Sequence, residues 1–170
     1  RRQPLHRGQI LGALPLRTLV WRYNLLASLG DHPERLFGRD AVAARTLETV
    51  DLYYNDLSTT RDVELLANLP QLSTLSLGSN KRTIPLPDDF HRLHTALFTL
   101  DLCANELPSL PSLAPLVSLQ RAYFDSNKLT SLPPLGSLQQ LELLSVSQVC
   151  VCPVCAVFFS FGWGWGWWDG

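Results

Sequence analysis

An eleven-residue pattern occurs five times in this chain, and no other feature restricts the fold so strongly. The copies are LRTLVWRYNLL (16–26), LETVDLYYNDL (47–57), LSTLSLGSNKR (72–82), LFTLDLCANEL (97–107) and LQRAYFDSNKL (119–129). They place apolar residues at positions one, four and six and an asparagine at position nine. The asparagines are Asn24, Asn55, Asn80, Asn105 and Asn127, spaced by 31, 25, 25 and 22 residues. Trp21 takes a leucine slot in the first copy; Arg82 breaks the last slot of the third, where Ile84 can fill the gap. A sixth copy, LELLSVSQV, keeps Leu141, Leu144 and Val146 but has Val149 where the asparagine belongs. Neither a helical period nor strict alternation gives this spacing. Repetition at 20–50 residues is the signature of stacked coils, each too small to bury its own apolar face. Leucine, at 35 of 170 residues, supplies that shared face.

The pattern resembles the leucine-rich-repeat family, L-x-x-L-x-L-x-x-N-x-L, over roughly residues 11–148. The resemblance implies a curved α/β solenoid: a parallel sheet on the concave side and a mixed helical, 3-10 and extended convex side. Val50 and Leu52 then point inward, and each buried leucine contributes about 1.5–3 kcal/mol. The turn after each strand leaves backbone N–H and C=O groups facing the interior. A buried asparagine satisfies both kinds, since its amide donates and accepts. The five asparagines are therefore expected to form a structural ladder, not a catalytic set.

The return segments differ along the chain. STTRDVELLANLPQL (58–72) reads as a helix, with Thr59 and Asp62 as a capping-box-like start and Pro70 beyond its end. PERLFGRDAVAART (33–46) holds a further helical stretch. The later returns, LPSLPSLAPL and LTSLPPLGSL, are proline-rich and favour extended or 3-10 turns.

Strand positions outside the consensus face solvent. One column reads Thr18, Thr49, Thr74, Thr99, Arg121; the next Val20, Asp51, Ser76, Asp101, Tyr123; the third Arg22, Tyr53, Gly78, Cys103, Asp125; and a fourth begins Tyr23, Tyr54. All four tyrosines of the chain fall on this face. Threonine and tyrosine also favour strands intrinsically, but solvent-facing tyrosines interleaved with carboxylates suit a binding surface. Asp51, Tyr53, Tyr54, Asp101, Tyr123 and Asp125 are thus the expected contacts for a protein or peptide bearing basic groups.

Other chemistry is poorly supported. A net charge of −1 offers no basic field for nucleic acid. The phosphate-loop, nucleophile-elbow and H-E-x-x-H signatures are missing, and the expected cofactor set is none. His91 and His94 have no cysteine near them in sequence and read as solvated or packed residues. Asp51 and Asp101 belong two repeats apart, about 10 Å at a strand spacing of about 4.8 Å, too far for an acid/base pair. The chain is expected not to be an enzyme.

Three units are expected: the end of a preceding, truncated repeat (1–15), the solenoid (16–148) and a tail (149–170), VCVCPVCAVFFSFGWGWGWWDG. The tail has three readings, in this order. It is non-native, because Gln-Val-Cys-Val-Cys is what a splice donor and GT-rich intron would encode. It spans a membrane, against which stand Pro153, the interspersed glycines and the lack of flanking Lys or Arg. Or Cys150, Cys152 and Cys155 bind metal, for which a fourth ligand is wanting. Neither end has a polar cap, so the chain reads as a fragment. With no N-x-[ST] acceptor and one cysteine, Cys103, in the repeat body, the expected compartment is the cytoplasm. The function expected first is an intracellular scaffold or regulatory subunit. The alternatives are a receptor ectodomain fragment with the tail as its span, and the substrate-recognition part of a ubiquitin ligase.

Overall fold

Stacking requires that equivalent residues of successive copies pair across the sheet, and the computed structural model has them do so. It describes residues 11–29, 34–38, 40–66, 69–80, 86 and 96–147. His91, His94, Asn68, Arg82, Ile84, residues 1–10 of the first expected unit and the whole tail from Val149 lie outside these. Six strands of three residues each, β1 (Thr18–Val20), β2 (Thr49–Asp51), β3 (Thr74–Ser76), β4 (Thr99–Asp101), β5 (Arg121–Tyr123) and β6 (Leu143–Ser145), form one parallel sheet in chain order. Thr18, Thr49, Thr74, Thr99, Arg121 and Leu143 lie in one row, and Val20, Asp51, Ser76, Asp101, Tyr123 and Ser145 in another.

The middle residue of each strand points inward. Leu19, Val50, Leu75, Leu100 and Ala122 are buried, as are Leu52, Leu77, Leu102 and Phe124 two residues on. One continuous core runs from Leu19 to Leu138, with Leu141, Leu144 and Val146 of the sixth coil partly buried against it. Parallel neighbours need a crossover, and the described returns supply it in two styles. Between β1 and β2 stand two short helices, α1 (Glu34–Phe37) and α2 (Val42–Thr46), rather than one stretch. They part where the Ala41 N–H turns back to the Gly38 carbonyl at 2.9 Å. Phe37, Ala43 and Ala44 are all buried, so the break lets both helices face the core. Between β2 and β3 lies α3 (Thr60–Leu66). Its Asp62 N–H approaches the Thr59 hydroxyl at 3.3 Å, the Thr59 hydroxyl donates to the Asp62 carboxylate, and that carboxylate also accepts from Leu29 N–H of the previous coil at 3.1 Å. The returns after β4 and β5 carry no helix. Pro108, Pro111, Pro115, Pro133 and Pro134 lack the donors a helix would need.

The strand-to-return turn uses the same backbone in the first five coils. Tyr23, Tyr54, Ser79, Ala104 and Ser126, each one residue before a repeat asparagine, have φ between 52° and 57°. The asparagine then closes the turn. Asn55, Asn80, Asn105 and Asn127 are buried. Each donates from Nδ2 to the carbonyl three residues back in its own coil and to the matching carbonyl of the preceding coil: Leu52 and Trp21, Leu77 and Leu52, Leu102 and Leu77, Phe124 and Leu102. Each Oδ1 accepts an N–H of the preceding coil, from Asn24 and Leu26, Leu57, Asn80 and Leu107 in turn. Asn24 differs. It is exposed, and its amide donates to the Arg22 carbonyl at 2.7 Å. No coil is described on its outer side, so it contributes a backbone N–H to the ladder and not a rung.

Candidate binding face

The first and third residues of each strand, and the two residues after the buried sixth position, form the outward surface of the sheet. Its β1–β2 end is aromatic. The Tyr23 ring lies 5.9 Å from Tyr53, edge-on, and 5.0 Å from Tyr54; Tyr53 and Tyr54 are 6.4 Å apart. Tyr23 is 65% exposed, and Tyr54, whose coil has neighbours on both sides, is still 38% exposed. Both sit in the left-handed backbone region, where a bulky side chain is a genuine outlier and strain of about 1–3 kcal/mol is expected. The third, fourth and fifth coils put Ser79, Ala104 and Ser126 in that slot. The turn itself therefore needs no aromatic there. Tyr23 was absent from the six residues expected as contacts, yet it touches both of the other rings; its slot, identical to that of Tyr54, was the available signal. Tyr123 stands apart on β5.

The carboxylates are placed differently from one another. Asp51 is only 6% exposed. It accepts from Arg22 Nε at 2.6 Å, forms an ion pair with the same guanidinium, and accepts from Tyr53 N–H at 3.1 Å. The hydrogen bond from Arg22 to Asp51, and the charge of Asp51, raise the Arg22 pKa further. Asp51 is thus a support for Arg22, which is itself half exposed, rather than an open anchor. Asp101 accepts from the Ser76 hydroxyl and the Cys103 N–H, both at 3.0 Å. Asp125 accepts from the Ser145 hydroxyl at 2.8 Å and from the Ser147 hydroxyl and N–H at 2.6 and 2.7 Å. Burial pushes the Asp125 carboxyl up, but those Ser147 and Ser145 hydrogen bonds outweigh it and hold the group below the usual carboxylate range. Burial, then the hydrogen bond with Asp101 and the charges of Asp101 and Asp125, push the Cys103 thiol up to about 12. Arg121, the remaining cation of the strands, lies over the Phe98 ring at 5.3 Å.

Gly78 occupies the row of Arg22, Tyr53, Cys103 and Asp125. A Cβ there would lie 2.9 Å from Tyr53 Cδ2, 3.0 Å from Asp101 Oδ1 and 3.0 Å from Cys103 Sγ. Only glycine lets these three side chains meet over β3 and the turn that follows it. Among the described residues no group of three or more His, Cys, Asp or Glu could hold a metal ion, and no helix is long and apolar enough to cross a membrane.

No family model and no curated protein matches this chain. Solved structures do. A leucine-rich-repeat protein of Leptospira interrogans superposes with a TM-score of 0.67 at 30% identity, over 87% of this chain and 36% of that one. An internalin of Listeria monocytogenes superposes with a TM-score of 0.53 at 24% identity, over 64% of this chain and 31% of that one. The chain spans about a third of the length of these two proteins. Repeat pattern, strand register and superposition agree: this chain has a fold of the leucine-rich-repeat type.

Proposed function

We propose that the protein is a non-catalytic interaction module, an intracellular scaffold or regulatory subunit, whose concave face binds a protein or peptide segment. The observation that carries this reading is the pair Tyr23 and Tyr54. Both are exposed and both occupy a strained turn position that the third, fourth and fifth coils fill with serine or alanine. Exposed aromatic side chains clustered on one face are enriched among the anchors of interfaces. Tyr53, braced between them and Gly78, extends the patch; Tyr123, Asp101 and Asp125 continue it toward β5. Six strands at about 4.8 Å make a surface about 24 Å wide, matching roughly seven residues of extended chain at about 3.3 Å each.

The test is selection of a displayed random decapeptide library on the wild-type protein alone, with each enriched peptide then titrated against wild type and Tyr23→Ser/Tyr54→Ser. Enriched peptides that bind wild type and lose at least tenfold in affinity on the double variant support the reading. Peptides indifferent to the tyrosines but weakened by Glu64→Ala on α3 move the site to the convex side. The cytoplasmic placement rests on the thiol of Cys103, free and half-buried in the repeat body. Cell fractionation that recovers the protein outside the cell would overturn it.

A further inference from the structure

We propose that the two ends of the described solenoid are complementary halves of one interface: β6 of one copy docks beside β1 of the next, and copies stack head to tail. This is independent of what the concave face binds. Core, backbone and charge all support it.

Both ends show the cross-section of the same core. In the second to fifth coils the first and sixth repeat positions are buried, as Leu47, Leu72, Leu97 and Leu119 in one row and Leu52, Leu77, Leu102 and Phe124 in the other. At the β1 end these rows finish on Leu16 and Trp21, and at the β6 end on Leu141 and Val146, all four only partly buried. Another coil of the same pattern would cover them, as each inner coil covers its neighbours.

The backbone at each end has the pairing of an inner coil on one side only. Glu48 and Thr49 donate their N–H groups to the Arg17 carbonyl, and Glu142 and Leu143 donate theirs, both at 2.9 Å, to the Gln120 carbonyl. In the joint, the N–H groups of Arg17 and Thr18 repeat these bonds on the Glu142 carbonyl of the preceding copy. The parallel register then runs on, with Leu143 beside Thr18, Leu144 beside Leu19 and Ser145 beside Val20. Asn24 becomes a full rung. Asn55 reaches the Trp21 carbonyl of the coil before it, whereas the Asn24 amide turns to its own Arg22 carbonyl. The carbonyl that matches Trp21 in the joint is that of Val146.

Charge selects a second copy as the occupant. Arg17 and Glu142 stand in the same row, one residue before the strand, at opposite ends of the sheet. Arg17 is exposed and already spans one coil to reach Glu48 at 2.7 Å. Glu142 is exposed, has no ion pair among the described residues, and lines an open pocket with Gln120, Gln139, Gln140 and Leu141. One strand spacing of about 4.8 Å brings the Arg17 guanidinium of the next copy to that pocket and its carboxylate. Two β1 ends would oppose two arginines, and two β6 ends two glutamates, so only the head-to-tail arrangement joins opposite charges. Such a contact is heterologous, and every copy added leaves an end open.

The experiment is sedimentation velocity on the full chain. Over about a hundredfold range of concentration the mean mass should keep rising past the dimer. Arg17→Glu and Glu142→Arg should each weaken assembly at least tenfold, because each puts like charges at every joint. Combining both in one chain restores opposite charges and should return assembly to within about threefold of wild type. Both positions are exposed, and Arg17→Glu removes only a surface pair, so circular dichroism should be unchanged. A benzophenone side chain in place of Thr18 gives a second readout that needs no charge variant. In a mixture of isotope-labelled and unlabelled chains it should cross-link to residues 141–146 of another copy. A chain that stays monomeric, a mass that stops at the dimer, assembly indifferent to both charge reversals, or cross-links that join 18 to 18 would each overturn the proposal.

Discussion

Replacing Asn105 by alanine tests the ladder at its centre, and the hydrogen bonds set the size of the effect. Asn105 donates to the carbonyls of Leu102 at 2.9 Å and Leu77 at 3.1 Å, and accepts from Asn80 N–H at 3.0 Å. The two carbonyls are not orphaned by its loss. Leu77 still receives Asn80 Nδ2 at 2.8 Å, and Leu102 still receives Asn127 Nδ2 at 2.9 Å. Asn80 N–H, at a buried residue, is left with no acceptor. An orphaned buried donor costs about 1–3 kcal/mol, and two weakened carbonyls add a fraction more, so the expected loss is about 3 kcal/mol. At a urea slope of about 2 kcal/mol per M this moves the midpoint down by about 1.5 M. Two controls bracket the result. Glu106 pairs with Lys128 at 2.9 Å, but both side chains are more than half exposed, so Glu106→Ala should shift stability by no more than about 0.5 kcal/mol. Asn24→Ala removes a single exposed hydrogen bond and should be equally mild. Urea unfolding followed by far-ultraviolet circular dichroism reads all three. Coincident midpoints for Asn105→Ala and Asn24→Ala would refute the ladder as the closure of the turns.

Asp62→Ala should cost about 1–3 kcal/mol, because the carboxylate both caps α3 through Thr59 and holds Leu29 N–H of the previous coil; an unchanged thermal midpoint would contradict this. The lowered pKa of Asp125 means that its contribution to stability is complete above the usual carboxylate range and is lost as pH falls through the lower folded value. Asp125→Asn should therefore flatten the acid side of the stability profile, and an identical acid limb in both proteins would show that the serine cluster does not hold the carboxylate. Cys103, its thiol pushed up to about 12, should react with iodoacetamide at pH 8 about a hundredfold more slowly in the folded protein than in urea. Mass mapping of the Cys103 peptide measures that ratio, and equal rates would place the sulfur in open solvent.

Much of the fold can be read in the sequence because the repeat carries its own register. Aligning five copies places Thr18, Thr49, Thr74, Thr99 and Arg121 in one column, and the sheet pairs those same residues. The cap of α3 is legible for a similar reason: Thr59 and Asp62 stand at the spacing a first helical turn requires. The split of the first return into α1 and α2 is not legible from periodicity, since it depends on how Phe37, Ala43 and Ala44 reach a core built by other coils. Asn24 occupies the same slot as Asn55, yet a slot does not say whether another coil covers it. The carboxylates show the limit most clearly. A column records which residues share a row, whereas Asp51 is satisfied along a diagonal, by Arg22 in the next row of the neighbouring coil. Gly78 likewise reads as a gap in a row of large side chains, and its role becomes visible only when Tyr53 and Asp101 are seen closing over it.

On the proposed function, Tyr23 and Tyr54 are held in their turns for recognition and not for folding. Paired measurements of stability and affinity on Tyr23→Ser/Tyr54→Ser test it, with a library-selected peptide titrated by fluorescence anisotropy. Serine is what the third and fifth coils carry at this position. Relief of backbone strain should offset the lost ring contacts, leaving the urea midpoint within about 1 kcal/mol of wild type. Affinity should fall about thirtyfold or more, the equivalent of about 2 kcal/mol for a true anchor. A variant that is several kcal/mol less stable and binds the peptide as tightly as wild type would contradict the account.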